Sequence, residues 1–90
     1  MIDIDNISEN ALQSVIKDSV HVNWDFFALK VMISRFRLKL SMIDNHKVNQ
    51  REEVIQQCCT EMRELLRKSK HIPSVKKDLQ IIVERYGAGV

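Results

Sequence analysis

Glycine and proline are almost missing from this chain: Gly87 and Gly89 close to the end, and Pro73 alone. A phosphate-cradling loop needs glycines in its interior, so that class of nucleotide site is excluded. With 44% hydrophobic residues, the composition is that of a folded, helical protein rather than a disordered segment. Cysteine is limited to the neighbours Cys58 and Cys59, which offer no disulfide framework. On a helix, adjacent side chains diverge by about 100°, so this pair cannot chelate one ion as a Cys-x-x-Cys turn does. One cysteine is expected in the core and the other at its flank. The three histidines, His21, His46 and His71, each fall in or beside a link, at no zinc spacing and with no nucleophile in a known arrangement. His46-Lys47 resembles a phosphotransfer pair in composition, but it falls in a loop. No catalytic residue, metal, cofactor or small-molecule substrate is therefore expected, and the chain does not read as an enzyme.

Long uncharged apolar runs are also lacking. The most apolar stretch, residues 26–43, carries Lys30, Arg35, Arg37 and Lys39, which excludes an ordinary membrane span. The start, Met1 to Asp5, has neither the basic region nor the apolar run of a signal peptide. The expected location is the cytoplasm, with no membrane partner. Aromatics are few, and Trp24, Phe26 and Phe27 crowd into one segment apart from Phe36 and Tyr86.

What is present is a helical pattern over one domain of ninety residues, with loose ends expected at about 1–6 and 87–90. Ser8 is placed to cap a short helix over 8–18 that presents Ala11, Leu12, Val15 and Ile16. Asn23 is placed to cap a second over 24–43. Its polar positions Lys30, Ser34, Arg37 and Ser41 form one narrow stripe, so it is apolar nearly all round. Such a helix must be covered on more than one side, either at the centre of a bundle or in a dimer. The strict alternation from Arg35 to Leu40 also fits a strand, but the run is too long and lacks turn residues. Asp44 to Lys47 reads as a loop. Asn49 and Glu52 have capping-box spacing before a third helix over 50–69, with Ile55, Cys58 or Cys59, Met62, Leu65 and Leu66 on one face. Pro73 ends any continuation. Ser74 is placed to cap a fourth helix carrying Val75, Leu79, Ile82 and Tyr86, closed by a left-handed Gly87. The expected fold is an all-α, four-helix bundle, completed by dimerisation through residues such as Phe27, Val31 and Leu38.

Charge is uneven although the net value is only +2. Residues 1–25 carry a local balance of −4, whereas residues 63–77 carry +5. The basic segment supplies Arg63, Arg67, Lys68, Lys70, Lys76 and Lys77, which flank an interhelical turn and are the candidate contacts for DNA phosphates or an acidic partner. The bland alternative is a solvated face, with Arg63 and Arg67 paired within their helix to Glu64 or Glu61. The segment 55–86 has a helix-turn-helix look, with a six-residue link from Ser69 to Ser74 that is long for that turn.

Two terminal pieces, Ile7-Ser8-Glu9-Asn10-Ala11-Leu12-Gln13-Ser14 and Val75-Lys76-Lys77-Asp78-Leu79-Gln80-Ile81-Ile82-Val83-Glu84-Arg85-Tyr86, resemble the ends of the small enterobacterial biofilm and acid-resistance regulators of the AriR (YmgB) type. Lys47-Val48-Asn49-Gln50 is similar to the asparagine-rich lead-in to that family's third helix. The resemblance implies an all-helical homodimer acting in gene regulation, by weak DNA contact or as a connector that binds a phosphorelay regulator. A different class stays open: a small adaptor or secretion chaperone whose apolar second helix pairs with a partner's helix.

Overall fold

The computed structural model describes residues 4–87. The element order is a 3-10 turn at Ile4–Asn6, α1 at Glu9–Asp18, a 3-10 turn at Ser19–His21, α2 at Phe27–Met42, α3 at Val48–Lys68 and α4 at Pro73–Tyr86. No strand forms among the described residues, and the small all-α bundle read from the sequence is what the chain adopts.

Each helix starts for a nameable reason, and not always the expected one. Ser8 caps α1 as anticipated, its Oγ accepting the Ala11 N–H at 3.0 Å. Helix α2 begins at Phe27, and Asn23 does not cap it. No side chain caps its first turn; α4 instead holds the lead-in, with Asp78 Oδ1 accepting the Asp25 N–H at 3.0 Å and Oδ2 the Phe26 N–H at 2.8 Å. Asp78 is fully buried. Its neighbour Lys77 closes the same junction with an ion pair to Asp25 at 2.9 Å. At the other end of α2, Arg51 Nη1 donates to the Leu40 carbonyl at 2.7 Å, filling one of the vacancies every helix end leaves. Asn49 lies inside the first turn of α3, which opens at Lys47 without a side-chain cap, so no capping box forms with Glu52. Likewise Ser74 lies inside α4; Pro73 opens that helix at its first position, where a missing N–H costs nothing. Gly87 ends α4 at φ 86°, ψ 150°, a positive φ as expected but extended rather than left-handed helical.

The shortest of the four helices is the hub. Ala11, Leu12, Val15 and Ile16 of α1 are buried, and α1 packs against α2, α3 and α4 in turn. At about 1.5–3 kcal/mol for each fully buried Val, Leu or Ile, this ten-residue helix contributes a large share of the core. Helix α3 lies across both α1 and α2, which explains a correction: Cys58 and Cys59 are both buried, where only one was expected to be. A helix contacted from two directions can bury adjacent positions. The N-terminal 3-10 turn also packs on α3, and Ile4 joins the core although residues 4–6 fell in the end read as loose. Residues 1–3 and 88–90 of the two expected loose ends lie outside the described residues.

Of the two placements the sequence allowed α2, one is excluded. It does not sit at the centre of the bundle. Leu29, Met32, Ile33, Phe36 and Leu40 face the core, while Phe27, Val31, Leu38 and Met42 face outwards.

The buried carboxylate that holds the lead-in to α2 sets a stability test. Hydrogen bonds to a charged acceptor contribute about 1.5–3 kcal/mol each, so Asp78→Ala, which removes two, is expected to lower the unfolding free energy by about 3–6 kcal/mol. Urea titration followed by circular dichroism checks this, with an earlier midpoint and an unchanged slope as the expected result. Asp78→Asn keeps one acceptor and should fall between the two.

Candidate functional site

Three groups of residues were candidates for function, and the fold treats them differently. The thiols are enclosed. Burial pushes the Cys58 thiol from 9.0 up to about 12, with Cys59 and Glu61 adding to the shift and Lys39 opposing it. Burial likewise pushes the Cys59 thiol up to about 11, with Glu9 adding and Arg63 opposing. A reactive cysteine needs an exposed, electropositive setting that favours thiolate; these two have the opposite. Of the histidines, His21 is exposed and stands 3.8 Å from Asp18. Ser19, near it in sequence, is committed elsewhere: its Oγ donates to the Ile16 carbonyl and accepts from Arg37. Among the described residues no three His, Cys, Asp or Glu side chains converge as metal ligands.

The basic segment divides in two. Arg63 is half-buried and donates from Nη2 to the Ile7 carbonyl, while Arg67 pairs with Asp5. Both therefore hold the N-terminal turn onto α3, and neither pairs with Glu61 or Glu64 along its own helix. Lys77 is occupied by Asp25, and that hydrogen bond raises its pKa. Lys68, Lys70 and Lys76 are exposed and make no ion pair among the described residues. They cluster around the link between α3 and α4, which is residues 69–72, shorter than the six-residue link read from the sequence. Lys70 lies in that link rather than on α3, so it does not continue a helical face from Arg63 and Arg67.

The third group is the outer face of α2. Phe27, Val31, Leu38 and Met42 are 75%, 40%, 64% and 79% exposed. At about 100° per residue the four fall within an arc of about 60°, directly opposite the buried face. Scattered exposed hydrophobics are ordinary on any protein, but an aligned stripe along a whole helix is not. Met42 was not singled out from the sequence, although its spacing of four from Leu38 was the available signal. Lys30 borders one edge of the stripe, and Arg35 and Lys39 border the other. Lys39 folds back so that its ammonium lies 5.0 Å from the centre of the Phe36 ring.

Beside the Lys30 edge lies an open cavity of about 540 Å³ between α2 and the segment that precedes it. Val20, His21, Trp24, Lys30, Ser34 and Arg37 contribute to its wall, which contains no carboxylate. Ser34 belongs to both features, being one turn from Val31 and one from Leu38. The stripe and the cavity are thus a continuous surface, apolar along α2 and cationic at its margin. No helix among the described residues is long and apolar enough to cross a membrane.

No protein-family model matches the chain, and no curated protein and no solved structure matches it either. The functional reading therefore stands on the chain's own residues.

The thiols generate a prediction with a definite sign. Folding raises both pKa values, so the unfolded chain loses its thiol protons first. Stability is full below pH 9.0 and declines as the pH climbs from there towards the folded values of about 11 and about 12. At pH 8 the native protein should react with a disulfide reagent roughly 100-fold or more slowly than a free thiol. Urea should release both thiols together, and rapid labelling of the native protein would contradict this placement.

Proposed function

We propose that this is a small, non-catalytic helical regulatory protein that works by protein–protein association, with the outer stripe of α2 as its contact face. The observation that carries the reading is the alignment of Phe27, Val31, Leu38 and Met42 on one uncovered side of a helix whose other side is already in the core. A chain that needed α2 only for folding would gain nothing from a second apolar face. The resemblance of both ends to the biofilm and acid-resistance regulators supplies the setting: a cytoplasmic connector in stress-response gene expression, acting on a phosphorelay or other regulatory protein. The adaptor or chaperone reading uses the same face, and differs only in whose helix lies on it.

The test is genetic. Deleting the gene in its source organism should change biofilm mass or acid survival, and the wild-type chain should restore it. Phe27→Asp/Leu38→Asp should fold normally, since both positions are exposed, yet fail to restore the phenotype. Full restoration by that double variant would sink the assignment of α2.

Contact with DNA is the second reading, favoured by the three free ammonium groups of Lys68, Lys70 and Lys76 around one short link. Lys77 is excluded from it as a probe, because its loss would also remove the ion pair to Asp25. Under this reading a random duplex binds at low salt, weakens steeply as salt rises, and loses about three counterions' worth of salt slope in Lys68→Gln/Lys70→Gln/Lys76→Gln. Fluorescence anisotropy reads all three; no binding at about 50 mM salt removes DNA from consideration.

A further inference from the structure

From the charge around the stripe we infer the chemistry of its occupant: an amphipathic helix whose apolar face is flanked by carboxylates. This rests on the reading of α2 as the contact face and adds what that face selects. From Phe27 to Met42 the helix carries Lys30, Arg35, Arg37 and Lys39 and not one Asp or Glu. The acids nearest to it along the chain are already engaged, Asp25 with Lys77 and Asp44 with the His46 N–H. The face therefore offers apolar anchors between two cationic edges, with no carboxylate of its own to balance them.

A second copy of the chain is a poor match. Antiparallel pairing of two α2 stripes sets Val31 against Leu38 and Phe27 against Met42, which suits the apolar residues. It also lays the Arg35–Lys39 edges of the two copies side by side, and like charges along an interface oppose association. An acidic helix reverses that sign at both edges. Its apolar residues, at spacings of three and four, lie on Phe27, Val31, Leu38 and Met42. Carboxylates on one flank meet Arg35 and Lys39. Those on the other reach Lys30 and the mouth of the cavity, where Ser34 and Arg37 add donors. Charge complementarity of this kind sets partner choice and association rate more than bulk affinity.

The experiment uses the full chain and three synthetic helices of about 20 residues, long enough to hold helical structure. All share one leucine stripe and differ only in flanking residues: Glu, Gln or Lys. The Glu-flanked helix should bind at least about tenfold more tightly than the Gln-flanked one, and the Lys-flanked one not measurably. The preference should shrink as salt rises from about 50 to about 300 mM, and collapse in Lys30→Gln/Arg35→Gln. Binding of the Glu-flanked helix should also be lost in Phe27→Asp/Leu38→Asp. Equal binding of the Glu and Gln helices overturns the charge selection while leaving α2 as the contact face. Glu-selective binding that survives Phe27→Asp/Leu38→Asp overturns both readings. Sedimentation supplies the remaining outcomes: a dimer that Phe27→Asp abolishes assigns the face to a second copy and overturns the acidic helix. Tighter binding to phosphatidylglycerol vesicles than to any peptide assigns it to an anionic bilayer, with the same consequence.

Discussion

The buried carboxylate of Asp78 is the constraint on which the arrangement depends. The two residues that lead into α2, Asp25 and Phe26, lie outside the helix and have no N–H partner of their own in its hydrogen-bond ladder. Asp78 supplies both oxygens from another helix, so the start of α2 is fixed to α4 rather than to its own flanking residues. The charge is acceptable inside the protein because each oxygen meets a donor; unpaired, it would cost several kcal/mol or more. The consequence is rotational. Pinning the Asp25–Phe26 backbone sets the phase of α2, and the phase decides which of its two apolar faces meets α1 and α3. Rotating α2 by half a turn would bury Phe27, Val31 and Leu38 and expose Leu29, Ile33 and Phe36. Apolar content alone discriminates weakly between those states, whereas two hydrogen bonds to a buried carboxylate at the lead-in favour the one in which both are made.

The elements that rest on local chemistry were legible in the sequence, and those that rest on distant partners were not. Ser8 announces α1 because its acceptor and the N–H it satisfies are three residues apart. The loop at 44–47 and the apolar faces of α1 and α4 follow from short-range spacing in the same way. Asp78 serves a backbone more than fifty positions earlier in the chain, beyond the reach of any capping motif. A signal was nevertheless present: Asp78 is three residues after Val75 and four before Ile82, so an acid sits in the apolar stripe of α4. An acid in a core-facing position demands buried donors, and the open N-terminus of a neighbouring helix is a common source of them. The paired cysteines were misread for a related reason. Periodicity describes a helix with one buried face, and α3 is covered from two directions.

The candidate contacts divide along the same line. Charge clusters were visible as clusters, but their availability was not. Arg63, Arg67 and Lys77 are consumed in holding the N-terminal turn and the α2–α4 junction, because the acidic first quarter of the chain folds back against the basic region near its end. The sequence displayed that asymmetry, and part of it is neutralised within one molecule rather than between two. Lys68, Lys70 and Lys76 lie around the α3–α4 link and form no ion pair among the described residues, so any anion-binding capacity of the segment concentrates there.

What distinguishes α2 is that its residual charge and its residual apolar surface coincide. An exposed apolar stripe is an aggregation hazard, and a protein can manage it with flanking charge of either sign. Mixed signs would make the face neutral and self-complementary, able to pair with its own copy. Cations on both edges instead oppose the approach of a second such edge and attract an acidic surface. The same three side chains, Lys30, Arg35 and Lys39, would thus act against one kind of neighbour and for another, which is how specificity arises as a difference between affinities rather than from tight contact alone. With α2 already folded and packed against the core, a helix docking on the stripe would not have to meet the entropy of ordering it.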